Sequence, residues 1–133
     1  MKEVQKTGEC MMWQSPQPYD RRMGLMFERD ITPTRNLAAG TVVMAPGEEQ
    51  PKLSVHEEGE EIYLVLRGSG QFILGERSVD VEPGTAVYVA PGVGHRAINS
   101  GDEEMELFWV NTPPVFGPVG AYNDFLKTWE RVR

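Results

Sequence analysis

The sequence predicts an all-β fold on two observations. Fourteen glycines and ten prolines cut the chain into short segments. The segments between them are rich in β-branched and aromatic residues, and they either alternate apolar with polar or run apolar throughout. Many short strands with regular turn signals point to a sandwich, a jelly roll or a barrel. A length of 133 residues suits one domain, with enough chain to bury a core without disulfides.

The elements follow in chain order. Residues 1–35 hold Met, Arg, Pro and Trp without clean periodicity and are expected to form a strand or two and an extended arm. The core strands are expected over 36–112. "GTVVMAPG" is the first, closing at Pro46-Gly47. "KLSVH" alternates, with Leu53 and Val55 on one face and Lys52, Ser54 and His56 on the other. "EIYLVLRG" is a longer apolar run ending at Gly68, and "GQFILGE" is bounded by Gly70 and Gly75. "RSVDVEPG" and "TAVYVAPG" stop at Pro83-Gly84 and Pro91-Gly92. "HRAIN" is short, and "MELFWVN" ends before Pro113-Pro114. Residues 121–133 read as a short C-terminal helix, because Tyr122, Phe125, Leu126, Trp129 and Val132 recur at helical spacing.

Composition narrows the function classes. The chain has 13 basic and 20 acidic residues, a net charge of −7, and only Arg21-Arg22 adjacent among the basic ones. Phosphate backbones and anionic membranes demand clustered Lys and Arg, so neither nucleic acid nor a membrane surface is an expected partner. No stretch reaches the ~18 consecutive apolar residues of a membrane span, and the N-terminus lacks the apolar core of a signal peptide. The single cysteine, Cys10, allows no intrachain disulfide. A cytoplasmic protein is the expectation.

The chemistry candidates centre on the two histidines of the chain, His56 and His95, each at the edge of a strand-turn signal. Imidazole with carboxylate oxygen suits Fe, Mn, Ni, Co or Zn, and two His with one Glu can form a facial triad with open positions. Of the four glutamates after His56, Glu61 opens the next strand and can meet the Ser54/His56 face across a hairpin. Glu57, Glu58 and Glu60 fall in the turn and are expected to face water. Alternation puts Tyr63 on the face of Glu61, which makes it the aromatic candidate for the pocket and its chemistry. Lys52 and Ser54 are further pocket candidates. Arg21, Arg22 and Arg35 either clamp an anionic substrate or are ordinary surface charge.

These residues carry a resemblance to the cupins, whose two motifs read G-x5-H-x-H-x3/4-E-x6-G and G-x5-P-x-G-x2-H-x3-N. His56, four residues, Glu61, six residues and Gly68 match the first. Gly84, Gly92, His95 and Asn99 match the second, with "SGQFILGERSVDVEP" between the motifs. Three departures stand: Ser54 occupies the place of the first motif histidine, Ala90 stands for the proline with Pro91 shifted by one, and Gly47 is one residue farther away. The resemblance implies a double-stranded β-helix, a jelly-roll barrel of two facing sheets with ligands converging inside. It implies a divalent transition metal on His56, Glu61 and His95, with Glu61 a ligand or a general base. It also implies a small polar organic substrate handled by dioxygenase, isomerase, decarboxylase or lyase chemistry, and a homodimer. The alternatives are a non-catalytic binding or sensing module with a degenerate metal site, and a structural homodimer with a vestigial one. Asn99 reads as a hydrogen-bonding residue rather than a ligand.

Overall fold

The computed structural model describes residues 3–49, 55–114 and 127–133. Among the described residues, ten strands make two antiparallel sheets: β1 (Met11–Gln14), β2 (Arg21–Phe27), β3 (Ala38–Met44), β4 (Glu60–Arg67), β5 (Gly70–Leu74), β6 (Arg77–Val81), β7 (Ala86–Val89), β8 (His95–Ile98), β9 (Met105–Thr112) and β10 (Glu130–Arg131). The larger sheet runs β10-β1-β2-β3-β9-β4-β7, and the smaller runs β6-β5-β8. This is the all-β double-stranded β-helix, with the core held between the two sheets.

Alternation decides which residues form that core. In β4, Glu61, Tyr63 and Val65 are buried while Glu60, Ile62 and Leu66 are exposed, the period of two expected of a strand with one dry face. β9 contributes Met105, Leu107 and Trp109 to the same interior, β3 contributes Val42 and Met44, and β5 contributes Phe72 from the opposite sheet. Two of the turn glycines have no substitute. Gly68, between β4 and β5, has φ +74, and a Cβ there would lie 2.4 Å from the Glu104 carbonyl oxygen. Gly92, before β8, has φ +78, a region side chains avoid.

Two expectations need correction. The C-terminal helix does not run to residue 133. Glu130–Arg131 form β10, in register with Trp13 and Gln14 of β1. The edge of β1 has backbone groups to satisfy: Met12 N–H donates to Arg133 O at 3.0 Å, and Val132 N–H donates to Met12 O at 2.9 Å. That pairing outweighs a periodicity of only a few residues. Residues 121–126 of the expected helix lie outside the described residues. The other correction concerns "KLSVH": residues 52–54 also lie outside the described residues, and His56 sits in a loop before β4 rather than on a strand.

Candidate metal centre

Three separate elements deliver the three side chains. Glu61 projects inward from β4, where its Cα partners are Val89 on β7 and Asn111 on β9. His95 opens β8 on the smaller sheet and is paired with Leu74 of β5. His56 comes from the loop that enters β4. That loop is tied to the turn before β8, since Gly92 N–H donates to His56 O at 2.8 Å. The bond joins the backbone of the first histidine to the turn that launches the second.

The resulting group is compact and buried. Ligand-type atoms of His56, Glu61 and His95 all lie within 4.8 Å of one another. Glu61 is 3 % exposed and His95 is fully buried. Glu61 Oε1 is in ion-pair contact with His56 Nε2, and Glu61 Oε2 lies 3.8 Å from His95 Nε2. Apart from that ion-pair contact, Oε1 is a buried oxygen with no hydrogen-bond partner among the described residues. A buried carboxylate oxygen left in this way is costly. A cation among the three donors would satisfy it. The donor set, two imidazoles and a carboxylate, is one that Zn and the first-row transition metals accept. The residues present therefore fit a divalent metal.

His95 is prepared for that role. Its Nδ1 lies 3.2 Å from the Val93 carbonyl, which can only accept, so Nδ1 carries the proton and Nε2 keeps its lone pair. Burial pushes the imidazole below its ordinary pKa, against the opposing pull of the Val93 carbonyl and the Glu61 carboxylate. The ring is therefore neutral near pH 7, the form that ligates. It stacks on Phe72, with centroids 6.2 Å apart and planes at 6°. The Tyr63 hydroxyl lies 3.3 Å from His95 Nε2.

The other candidates divide clearly. Tyr63 borders the group through His95, and Ser54 and Lys52 lie outside the described residues. Glu57, Glu58 and Glu60 face solvent. Arg21 is buried at the other end of its sheet, in register with Met44, 3.7 Å from Glu48 and over the rings of Tyr19 and Trp129. Arg22 pairs with Glu104, and Arg35 is exposed. No arginine of the three reaches the metal group. Asn99 is a structural hub: its Nδ2 lies within 3.0 Å of the carbonyls of Met44, Ala45 and Glu103, and its Oδ1 accepts from Gly101 N–H at 3.1 Å. Asn111 is the residue that reading the sequence missed. It is buried on the inner face beside Glu61. Its position two residues beyond Trp109 in an alternating strand was the available signal.

The likenesses to known proteins agree with this geometry. The chain is 48% identical over 48 residues to the glucose-6-phosphate isomerase of Pyrococcus horikoshii, a match covering 32% of this chain and 25% of that one. It is 31% identical over 62 residues to an uncharacterized protein of Methanocaldococcus jannaschii, covering 47% of this chain and 50% of the relative. The chain thus spans about a quarter of the isomerase's length and half that of the second relative. Among solved structures, a predicted oxalate decarboxylase from Thermotoga maritima superposes with a TM-score of 0.71 at 21% identity, covering 83% of this chain and 98% of that one. A protein with a double-stranded β-helix domain from Klebsiella pneumoniae gives 0.71 at 19% identity, covering 100% and 99%. Residues 40–111, more than half of the chain, match the Cupin domain family. With the barrel, the paired motifs and this match in agreement, the chain belongs to the cupin family.

Proposed function

We propose that this protein is a small metal-dependent cupin enzyme acting on a small polar organic substrate. The observation that carries the proposal is the convergence of His56, Glu61 and His95 inside the barrel, with a buried Glu61 oxygen that no hydrogen bond among the described residues satisfies. A divalent cation held by these three would supply Lewis-acid polarisation of a substrate oxygen. The chain's own residues supply the rest. Glu61 brings the negative charge and, if one oxygen stays free of the cation, a base. Tyr63 brings a hydroxyl to within 3.3 Å of His95 Nε2. Phe72 packs its ring against His95 and Tyr63 and makes that side of the site apolar. Reaction class falls among isomerase, decarboxylase, lyase and dioxygenase chemistry. The likeness to an isomerase of sugar phosphates supports the first, and the fold likeness to a predicted decarboxylase supports the second. The exposed Glu57, Glu58 and Glu60 beside His56 make the described rim acidic, which favours a neutral oxygenated substrate over a phosphorylated one.

The rival reading is a non-catalytic binding or sensing module. It is favoured by Ser54, which leaves three protein ligands where the family motif offers a fourth. Metal analysis after reconstitution with Fe, Mn, Ni, Co or Zn tests the proposal. Wild type is expected to hold one equivalent, and His56→Ala and His95→Ala are each expected to lose it. A wild type that retains none of these metals refutes the enzyme reading.

The protein is further proposed to form a homodimer through the outer face of the larger sheet. Ile62 there is 51 % exposed between its register partners Tyr88 and Val110, and Tyr88 is 54 % exposed. An apolar strip of this kind on a chain of net charge −7 is better covered than wet.

A further inference from the structure

We propose that residues 127–133 form a strap that detaches while the barrel stays folded, and that the Arg21–Glu48 pair beneath Trp129 loads it for release. The inference goes beyond the metal site and stands without it.

The strap has a small footing. Six of its seven residues are exposed, and Trp129 is the buried one. Its strand, β10, is two residues long. Beyond β10, Val132 N–H donates to Met12 O at 2.9 Å, and Met12 N–H donates to Arg133 O at 3.0 Å. The Arg133 side chain donates from Nε to Cys10 O at 2.7 Å and from Nη2 to Thr7 O at 3.0 Å. Nη2 also lies 3.8 Å from Cys10 Sγ. Cys10, the single cysteine of the chain, is 1 % exposed, and its thiol donates to Thr7 O at 3.3 Å. On the sheet side it is shut in at Gly24, where a Cβ would lie 2.6 Å from Sγ. The thiol is thus held between the sheet and Arg133. A segment that buries so little opens by local rather than global unfolding.

What Trp129 covers works against its docking. The Arg21 guanidinium lies 5.5 Å from the Trp129 ring and 5.6 Å from the Tyr19 ring, contacts that attract. Yet Arg21 is 7 % exposed, and Glu48 approaches its Nε no closer than 3.7 Å. Arg21 Nε and Glu48 Oε1 are both buried without a hydrogen-bond partner among the described residues. A charge pair taken out of water without its hydrogen bonds loses more hydration than its attraction returns. Burial accordingly pushes the guanidinium below its ordinary pKa, against the pull of Glu48. Lifting Trp129 readmits water to the pair. The side chain that docks the strap is therefore the one that keeps the pair dry, which narrows the gap between docked and released states. Release frees the Met12 edge of β1 and uncovers the Cys10 thiol.

The released state is read by the reaction of Cys10 with a chromophoric aromatic disulfide. The Cys10 thiolate forms the mixed disulfide, one coloured thiolate leaves, and the thiol proton goes to buffer. Wild type is expected to label at a rate that urea well below the unfolding transition barely changes, because strap release exposes little surface. Arg21→Met/Glu48→Met removes both charges together and is expected to label about tenfold slower, since apolar residues of similar volume replace such a pair favourably. Trp129→Ala is expected to label at least about tenfold faster. Hydrogen exchange of the Met12 and Val132 amides is expected to move in the same direction in each variant. A wild-type rate that climbs with urea as steeply as global unfolding overturns the detachable strap. A double variant that labels as fast as wild type, or faster, overturns the loading by Arg21 and Glu48.

Discussion

His95 shows how one residue is specified by its surroundings. Its ring is fully buried, fixed at Nδ1 by Val93 and stacked on Phe72. Burial lowers its pKa from the ordinary 6.5, so the folded state resists a proton that the unfolded chain accepts. The sign follows directly: the unfolded state binds more protons as pH drops below about 6.5, so stability from this residue is present above that pH and lost below it. Urea unfolding of metal-free protein between pH 7 and 5 is expected to show falling stability, and His95→Gln is expected to flatten the fall. Asn99 makes a second prediction at this scale. Asn99→Ala removes the two N–H donors that reach three carbonyls and the acceptor of the Gly101 N–H, and is expected to cost about 3 kcal/mol in urea denaturation, at roughly 1 kcal/mol for each of these three groups. Both residues were legible from their motif positions. Asn111 was legible only as an inward-facing position by alternation from Trp109: no motif position marks it, and only the β4–β9 register sets it beside Glu61.

At the scale of elements, β4 and its exit turn are the most informative. Period-two alternation places Glu61, Tyr63 and Val65 on the core face, and the same count carried onward would place Arg67 there too. The register shifts between Val65 and Arg67, so Arg67 stands opposite Glu106 and is exposed, within 3.1 Å of Glu104. A bulge adds one residue to a strand and turns the following side chains to the other face. Gly68 then closes the strand with a left-handed backbone hard against Glu104 O. Gly68→Ala is expected to destabilise the protein by at least about 2 kcal/mol, from the strained φ alone, as a lowered thermal midpoint. The C-terminal segment gives the converse case. Its apolar spacing read as helix, yet Glu130–Arg131 pair with β1, because an unsatisfied strand edge recruits nearby backbone whatever its side-chain pattern.

For the whole molecule, the two sheets differ in what they leave uncovered. The interior is filled from both. On the outer face of the larger sheet, Ile62 and Tyr88 remain open, with the Tyr88 hydroxyl donating to Glu60 at 2.6 Å. Light scattering coupled to size exclusion is expected to give twice the mass of the 14.9 kDa chain, and Ile62→Arg is expected to shift it toward one. A wild type of single-chain mass contradicts the dimer. Among the described residues no helix is long and apolar enough to cross a membrane.

The sequence by itself determined the all-β class, the turn glycines, and the spacing that singles out His56, Glu61 and His95. These are local properties: a strand alternates every two residues, a left-handed turn needs glycine, and a motif is a count along the chain. What tertiary structure alone decided is where distant segments meet. It brought a loop histidine, a strand carboxylate and a histidine of the opposite sheet within 4.8 Å of one another. It also moved Arg21 to the far end, set Asn111 beside Glu61 and made a strand of Glu130–Arg131. Each of these depends on which backbone edge is left to be satisfied and which cross-strand neighbour is near. That information exists only once the sheets have paired.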